Sequence, residues 1–372
     1  MTFELRIIPR ASAPHMMMRG LKSFTNVEFV TDVLCEKHKV PASQRPNVRS
    51  QAESIRSCLQ QGLEYRDAAI ASDFSRPTLI YYSIMSLALC EILFKRDANY
   101  RLGKLREKHA HHGLDFSFQG GSRYQQISAS DLAVRPLDKG TFHVWYETSE
   151  DRGTWGEVRT IEQGGGQTSG LRMFAHPAPG LRRYNFQRVD LTRLAQNCPG
   201  LFYESSDLGI SLAFARVSLD MTINKSTQAG TWRILVHPGE RAALEQVLKR
   251  FMFHPRAVDL LQVREFENGV SVSVDFQLGT DYLLFSLPGG FALDDTKMLL
   301  SGDDINLNEF GIYYLSSYIA GMFARYYPEL WAKCSEHQTS LYLLIDAMMN
   351  AAIERAPMLL LEEFRREVYV LS

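Results

Sequence analysis

Hydrophobic and polar positions follow different rhythms along the chain, and the sharpest change of rhythm falls between residues 75 and 114. From Pro77 to Cys90 no side chain is charged, and Leu79, Ile80, Tyr82, Ile84, Met85, Leu87, Leu89, Leu93 and Phe94 cover nearly every face of a helix. That pattern predicts a helix that starts near Arg76 and is buried on all sides. Pro77 suits its first turn, where a missing N–H costs nothing, and Ser75 can accept from a free backbone donor. A membrane span needs roughly 20 consecutive apolar residues. Here Arg76 and Glu91 bound the run, and Ser83, Ser86 and two tyrosines interrupt it, so the helix reads as the centre of a soluble core.

Weaker rhythms flank this helix. Phe3, Leu5 and Ile7 alternate as in a strand, Val27 to Cys35 suit a short helix, and Ala52, Ile55, Leu59 and Leu63 recur at helical spacing between Arg49 and Ala71. After Leu114 the run DFSFQGGSRYQQISAS closes the helical block. From Val134 to Leu287 strands are expected to dominate. Thr141 to Tyr146 and Thr231 to Val236 are rich in β-branched and aromatic residues, and Leu219, Met221 and Ile223 alternate with polar partners. Val258–Phe266 and Val270–Leu278 flank Asn268-Gly269, a hairpin turn pair, with a third strand at Asp281–Leu287 and a helix from Glu240 to Phe253. Near the end, Asn308 can cap a helix that stops before Pro328, Leu341 to Ile353 form another, and Pro357 restarts a last one. The expected fold is α+β and mainly helical. Its expected divisions are 1–120, 121–305 with an antiparallel sheet, and 306–372, the last packed on the first.

Composition narrows the class. With 372 residues and 45% hydrophobic content the chain can bury a sizeable core. Its 41 basic and 42 acidic residues leave a formal charge of -1, so anion binding has to be local. Cys35, Cys58, Cys90, Cys198 and Cys334 are scattered, which fits reduced thiols in the cytoplasm, and the charged start MTFELRIIPR argues against a secretion signal.

The candidate chemistry sits just after the apolar helix. Arg101, Lys104, Arg106, Lys108, His109, His111 and His112 crowd together with only Glu107 to offset them, and with Arg76 they make the expected anion-binding surface. RNA, a nucleotide or an acidic protein surface is the partner such a cluster fits. Arg106 precedes His111 by five positions and His112 by six, compatible with the Arg-x4–6-His spacing of the HEPN class of helical ribonucleases. There the histidine handles a proton and the arginine stabilises charge on phosphate, across a dimer and without metal. The competing reading makes Lys104, Arg106 and Lys108 cations at a helix C-terminus with Gly113 as terminator. Gly164-Gly165-Gly166 lacks the GK[ST] of a nucleotide loop, and Asp294-Asp295 and Asp303-Asp304 lack calcium-loop spacing. His143, His176, His237 and His254 stand singly, so neither cofactor nor metal is expected. Arg325-Tyr326-Tyr327-Pro328 with Trp331 reads as an aromatic corner, and Asp346 as a carboxylate paired with an arginine.

Several stretches together resemble the YaaC-like family of bacterial proteins: Arg76-Pro77, Tyr81-Tyr82, His112-Gly113-Leu114, the run from Arg135 to Phe142, the run from Ala324 to Trp331, and the closing run from Ala356 to Glu363. The resemblance implies an intracellular bacterial protein and assigns no activity or catalytic residue. Two functions therefore stand. The first is a binding or regulatory protein for an anionic partner, self-associating and without membrane contact. The second is a HEPN-like ribonuclease with Arg106 and His111 or His112 at the phosphate, with phage defence as a setting that only genomic neighbours can establish.

Overall fold

The computed structural model describes residues 3–97, 100–149, 152–163, 166–177, 187–224, 229–236, 261–266, 269–277, 290–292, 297–301, 305 and 307–371. Strand β1 (Phe3–Ile8) is followed by α1 (Ala13–Ser23), α2 (Val27–His38), α3 (Arg45–Ile70), α4 (Arg76–Lys95) and α5 (Leu102–His109). Next come β2 (Leu114–Phe118), β3 (Leu132–Pro136), α6 (Thr141–Thr148), β4 (Arg152–Gln163), β5 (Gly166–Pro177), β6 (Val189–Asp190) and α7 (Leu191–Gln196). Strands β7 (Phe214–Asn224), β8 (Ala229–Val236), β9 (Leu261–Phe266), β10 (Gly269–Gln277), β11 (Gly290–Ala292) and β12 (Lys297–Ser301) lead to α8 (Glu309–Tyr326), α9 (Pro328–Glu336), α10 (Ser340–Arg365) and β13 (Glu367–Leu371). The chain is α+β and mainly helical, as its sequence predicts.

Helix α4 is the axis of the core. It is long and apolar enough to cross a membrane by length and composition, yet 72% of that window is buried inside the protein. Ile80, Ile84, Leu87, Leu93 and Phe94 are all at most 2% exposed. Together they contribute on the order of 10 kcal/mol of apolar burial before chain entropy is subtracted. Ser75 precedes the helix but its hydroxyl makes no cap, and its carbonyl accepts from Leu79 N at 3.1 Å instead. Helix α3 lies against α4 through buried polar stitches: Gln51 donates to the Leu93 carbonyl at 2.6 Å and Ser83 to the Gly62 carbonyl at 2.7 Å. A Cβ on Gly62 would come within 2.9 Å of Leu87 Cδ2 and 3.3 Å of the Ser83 carbonyl, so glycine eases the close approach of the two helices.

The C-terminal helices close the other sides. Asn308 caps α8 by accepting from Gly311 N at 2.9 Å. A Cβ on Gly321 of α8 would lie 3.2 Å from Tyr81 Cβ on α4. Helix α10 corrects an expectation, because Pro357 lies inside one continuous helix rather than starting a new one. Proline removes the donor that would bond the carbonyl four residues earlier. That carbonyl, on Ile353, accepts from Arg66 Nε of α3 at 3.0 Å, and the tertiary bond replaces the missing one.

Among the described residues three sheets complete the fold, with strand orders β13-β1-β5-β4, β11-β12-β7-β8-β10-β9 and β2-β3-β6. The first joins the two ends of the chain, since β1 and β13 pair in parallel from Glu4↔Glu367 to Ile8↔Leu371. The expected strands at Leu219–Ile223 and Thr231–Val236 lie within β7 and β8, and β9 and β10 form the expected antiparallel pair with Phe266 opposite Gly269. The expected helix at 240–253, the third strand at 281–287, Gly164-Gly165, both aspartate pairs, His237 and His254 lie outside the described residues. Thr141–Tyr146 is a second correction, because it is helix α6 and not a strand. Gly140, at φ +111°, turns the chain, and Trp145 Nε1 donates to buried Glu91 of α4 at 2.6 Å, so tertiary bonds override a β-rich composition.

Candidate functional site

Two glycines build the junction after α5. The N–H groups of Thr141 and Phe142 donate to the carbonyls of His111 and His112, both at 2.9 Å, and Leu137 N donates to the Gly113 carbonyl at 2.9 Å. Gly113 has φ +78°, and a Cβ on Gly140 would sit 2.3 Å from Gly113 Cα. No side chain fits at that crossing, so the His111–His112 turn is fixed against the start of α6. His109 Nδ1 adds a further tie by accepting from Gly140 N at 3.1 Å.

The cations of the basic cluster separate into two groups. Lys104, Arg106 and Lys108 are exposed, and among the described residues no carboxylate pairs with them. Arg106 lies on the α3 side, where its charge helps lower the Cys58 thiol behind the larger effect of a hydrogen bond with Cys90. Arg101 is engaged by Asn47 of α3. Arg76 is occupied by α10, with Nη1 donating to Asp346 Oδ1 at 2.7 Å and to Asn350 Oδ1 at 3.2 Å. Asp346 thus has the arginine partner its setting requires, while its own side chain keeps 32% exposure. His109 stacks on His143 with ring centroids 6.5 Å apart, and burial followed by the His143 charge lowers its pKa.

His112 has a different neighbourhood. Its Nδ1 and the Tyr81 hydroxyl share a hydrogen bond of 2.6 Å. Burial of the Tyr81 phenol raises its pKa far above the ordinary value, with Tyr314, Tyr318 and Tyr82 adding to the effect, so the phenol keeps its proton. Its alternative acceptor is Met85 Sδ at 3.7 Å, a weaker one than an imidazole nitrogen. The phenol therefore donates to Nδ1, and the neutral ring carries its own N–H at Nε2. Burial, then the charges of Arg325 and His111, hold the His112 pKa below its ordinary value of 6.5. Arg325 lies in the last turn of α8 and donates to the Tyr82 hydroxyl at 3.3 Å.

Of the residues expected at a phosphate, the structure brings His111 and His112 together, and the cation acting on His112 is Arg325. Arg106 acts on Cys58. Tyr81, Tyr82 and Arg325 carried no chemical signal in the sequence: the tyrosines sat in an apolar run and Arg325 in an aromatic corner. That corner exists, with Tyr327 4.7 Å from Phe118 and Trp331 5.2 Å from Tyr342 by ring centroid, but Arg325 and Tyr326 face outward from it. The stretches that carry the family resemblance, from Tyr81-Tyr82, His112-Gly113 and Gly140 to Arg325, meet at this one place.

Compared with known proteins, residues 22–364 match the model of a family described as YaaC-like protein. No curated protein and no solved structure matches the chain.

Proposed function

The chain belongs to the YaaC-like protein family, and from that premise we propose that it is a binding or regulatory protein that recognises an anionic partner through the exposed cations of α5. One observation carries the reading: Lys104 and Lys108, four apart and so on one helix face, are exposed and lack a carboxylate partner among the described residues. Arg106 adds charge toward α3. All five cysteines are free thiols, which supports action in the cytoplasm.

A single-stranded RNA oligonucleotide is the probe, read by fluorescence anisotropy over a salt series. Contacts from Lys104, Arg106 and Lys108 to three phosphates should give a slope of roughly -2 in log affinity against log salt. The Lys104→Ala/Arg106→Ala/Lys108→Ala variant should lose most of that slope. Absence of binding at low salt, or a slope unchanged in the variant, removes RNA as the partner.

A second reading, RNA hydrolysis with Arg106 and His111 or His112 at the phosphate, has one observation in its favour. His112 is an oriented imidazole whose Nε2–H, set by the Tyr81 hydrogen bond at Nδ1, suits donation to a phosphate oxygen. His112→Ala and His111→Ala should then abolish cleavage of single-stranded RNA, and purified protein that cleaves none ends this reading.

A further inference from the structure

The surroundings of His112 are electrostatically one-sided. Tyr81 from α4, Tyr318 and Arg325 from α8, and His111 beside it in the chain act on it directly, while Tyr82 and Tyr314 stand against Tyr81, Tyr326 acts on Tyr318, and Tyr82 accepts from Arg325. The nearest acid in this network, Asp115 of β2, acts on Tyr318 and is taken by Arg135 at 2.7 Å. No carboxylate contributes to the charge felt by His112, and none pairs with exposed Arg325 among the described residues. A guanidinium and an imidazole are thus held near each other with only phenols between them, an arrangement completed by an anion.

We propose that Arg325, His112 and Tyr82 form a binding site for a phosphoryl group, with Tyr81 positioning the imidazole. The guanidinium offers several N–H donors and the imidazole its Nε2–H, a set that matches a tetrahedral oxyanion. The Tyr81 phenol adapts to either state of the ring. While the ring is neutral it donates to Nδ1; once an anion favours the imidazolium, Nδ1–H donates to the phenol oxygen and the phenol proton turns to Met85 Sδ. Binding therefore takes up a proton, and by reciprocity the site binds more tightly as pH falls. None of the α5 cations takes part, so the site stands independently of the RNA-binding reading.

The test uses the full chain with inorganic sulfate, whose charge is constant between about pH 5 and 8, and inorganic phosphate, followed by calorimetry and by the His112 ring resonances. Sulfate should bind more tightly as pH falls through that range and shift the His112 signals. Arg325→Ala, at an exposed helix end, should fold normally and weaken sulfate binding about tenfold or more, the loss expected for a charged hydrogen bond. His112→Gln should remove the pH dependence. Tyr81→Phe should leave binding in place with an altered pH profile. A loss of less than about threefold in Arg325→Ala, acetate binding as tightly as phosphate, or no sulfate-induced change at His112 overturns the proposal. So does loss of sulfate binding in Lys104→Ala/Lys108→Ala, because the anion would then belong to α5. Sulfate binding that survives in that double variant while RNA binding vanishes supports both sites separately.

Discussion

Replacing Arg355 by methionine tests how α8, which carries Tyr318 and Arg325, is held in place. Arg355 Nε and Nη2 of α10 donate to Glu309 Oε1 and Oε2, both at 2.8 Å, and the Tyr313 hydroxyl donates to Oε1 at 3.0 Å. The Glu309 side chain is 7% exposed and that of Arg355 23%. Burial works against the guanidinium proton, but the charge and hydrogen bonds of Glu309 prevail and raise the Arg355 pKa. Methionine keeps the stem and much of the volume while removing both donors, so the Glu309 carboxylate stays buried with the Tyr313 hydroxyl alone. Breaking a buried pair from one side costs about 3–5 kcal/mol. The partial exposure of Arg355 places this case near about 3 kcal/mol. Urea unfolding followed by far-UV circular dichroism and by tryptophan fluorescence measures the loss. Removing both charges, in Arg355→Met/Glu309→Leu, should recover most of it, since an apolar pair can replace a buried ion pair. A single variant within about 1 kcal/mol of the parent, or a double variant no better than the single, would refute the reasoning.

Gly140→Ala should destabilise by at least about 2 kcal/mol, because the new Cβ has no room against Gly113 and the positive φ disfavours a side chain. Thermal unfolding measures it, and the His112 resonances should broaden or move as the turn loosens. Stability should also fall with pH below the ordinary histidine value of 6.5, because His38, His109 and His112 all have folded pKa values lowered, mainly by burial. In that window the unfolded chain binds more protons than the folded one, so the free energy of unfolding rises with pH, and the dependence ends below the folded values. Unfolding in urea at a series of pH values should show a shallower dependence for His112→Gln than for the parent.

Much of the fold is legible where local pattern and final packing agree. The uncharged run after Pro77 becomes α4, Asn308 caps α8, and Phe3, Leu5 and Ile7 lie in β1. Two failures have one cause, a partner far away in the chain. The composition of Thr141–Tyr146 favours a strand, but bonds from Thr141 and Phe142 to the His111 and His112 carbonyls begin a helix there. Pro357 is a local stop signal, yet Arg66, 287 residues before the freed carbonyl of Ile353, supplies the donor that lets α10 run on. The candidate site is half legible for the same reason. The basic cluster can be read from its spacing, whereas the contact of His112 with Tyr81 spans 31 positions, and Arg325 reaches the site only through the packing of α8 on α4.

The parallel pairing of β1 with β13 bears on how the molecule is made. On a ribosome β1 emerges more than 350 residues before β13, so it spends the synthesis of that whole span with one rim of peptide groups unclaimed. Closing so long a loop is slow compared with helix pairing. The core around α4 can condense first, and β1 and β13 zip together once β13 has emerged. A chain broken just before Glu367 would keep its core but carry an open β-rim, the kind of defect that seeds intermolecular strand addition and attracts cellular proteases.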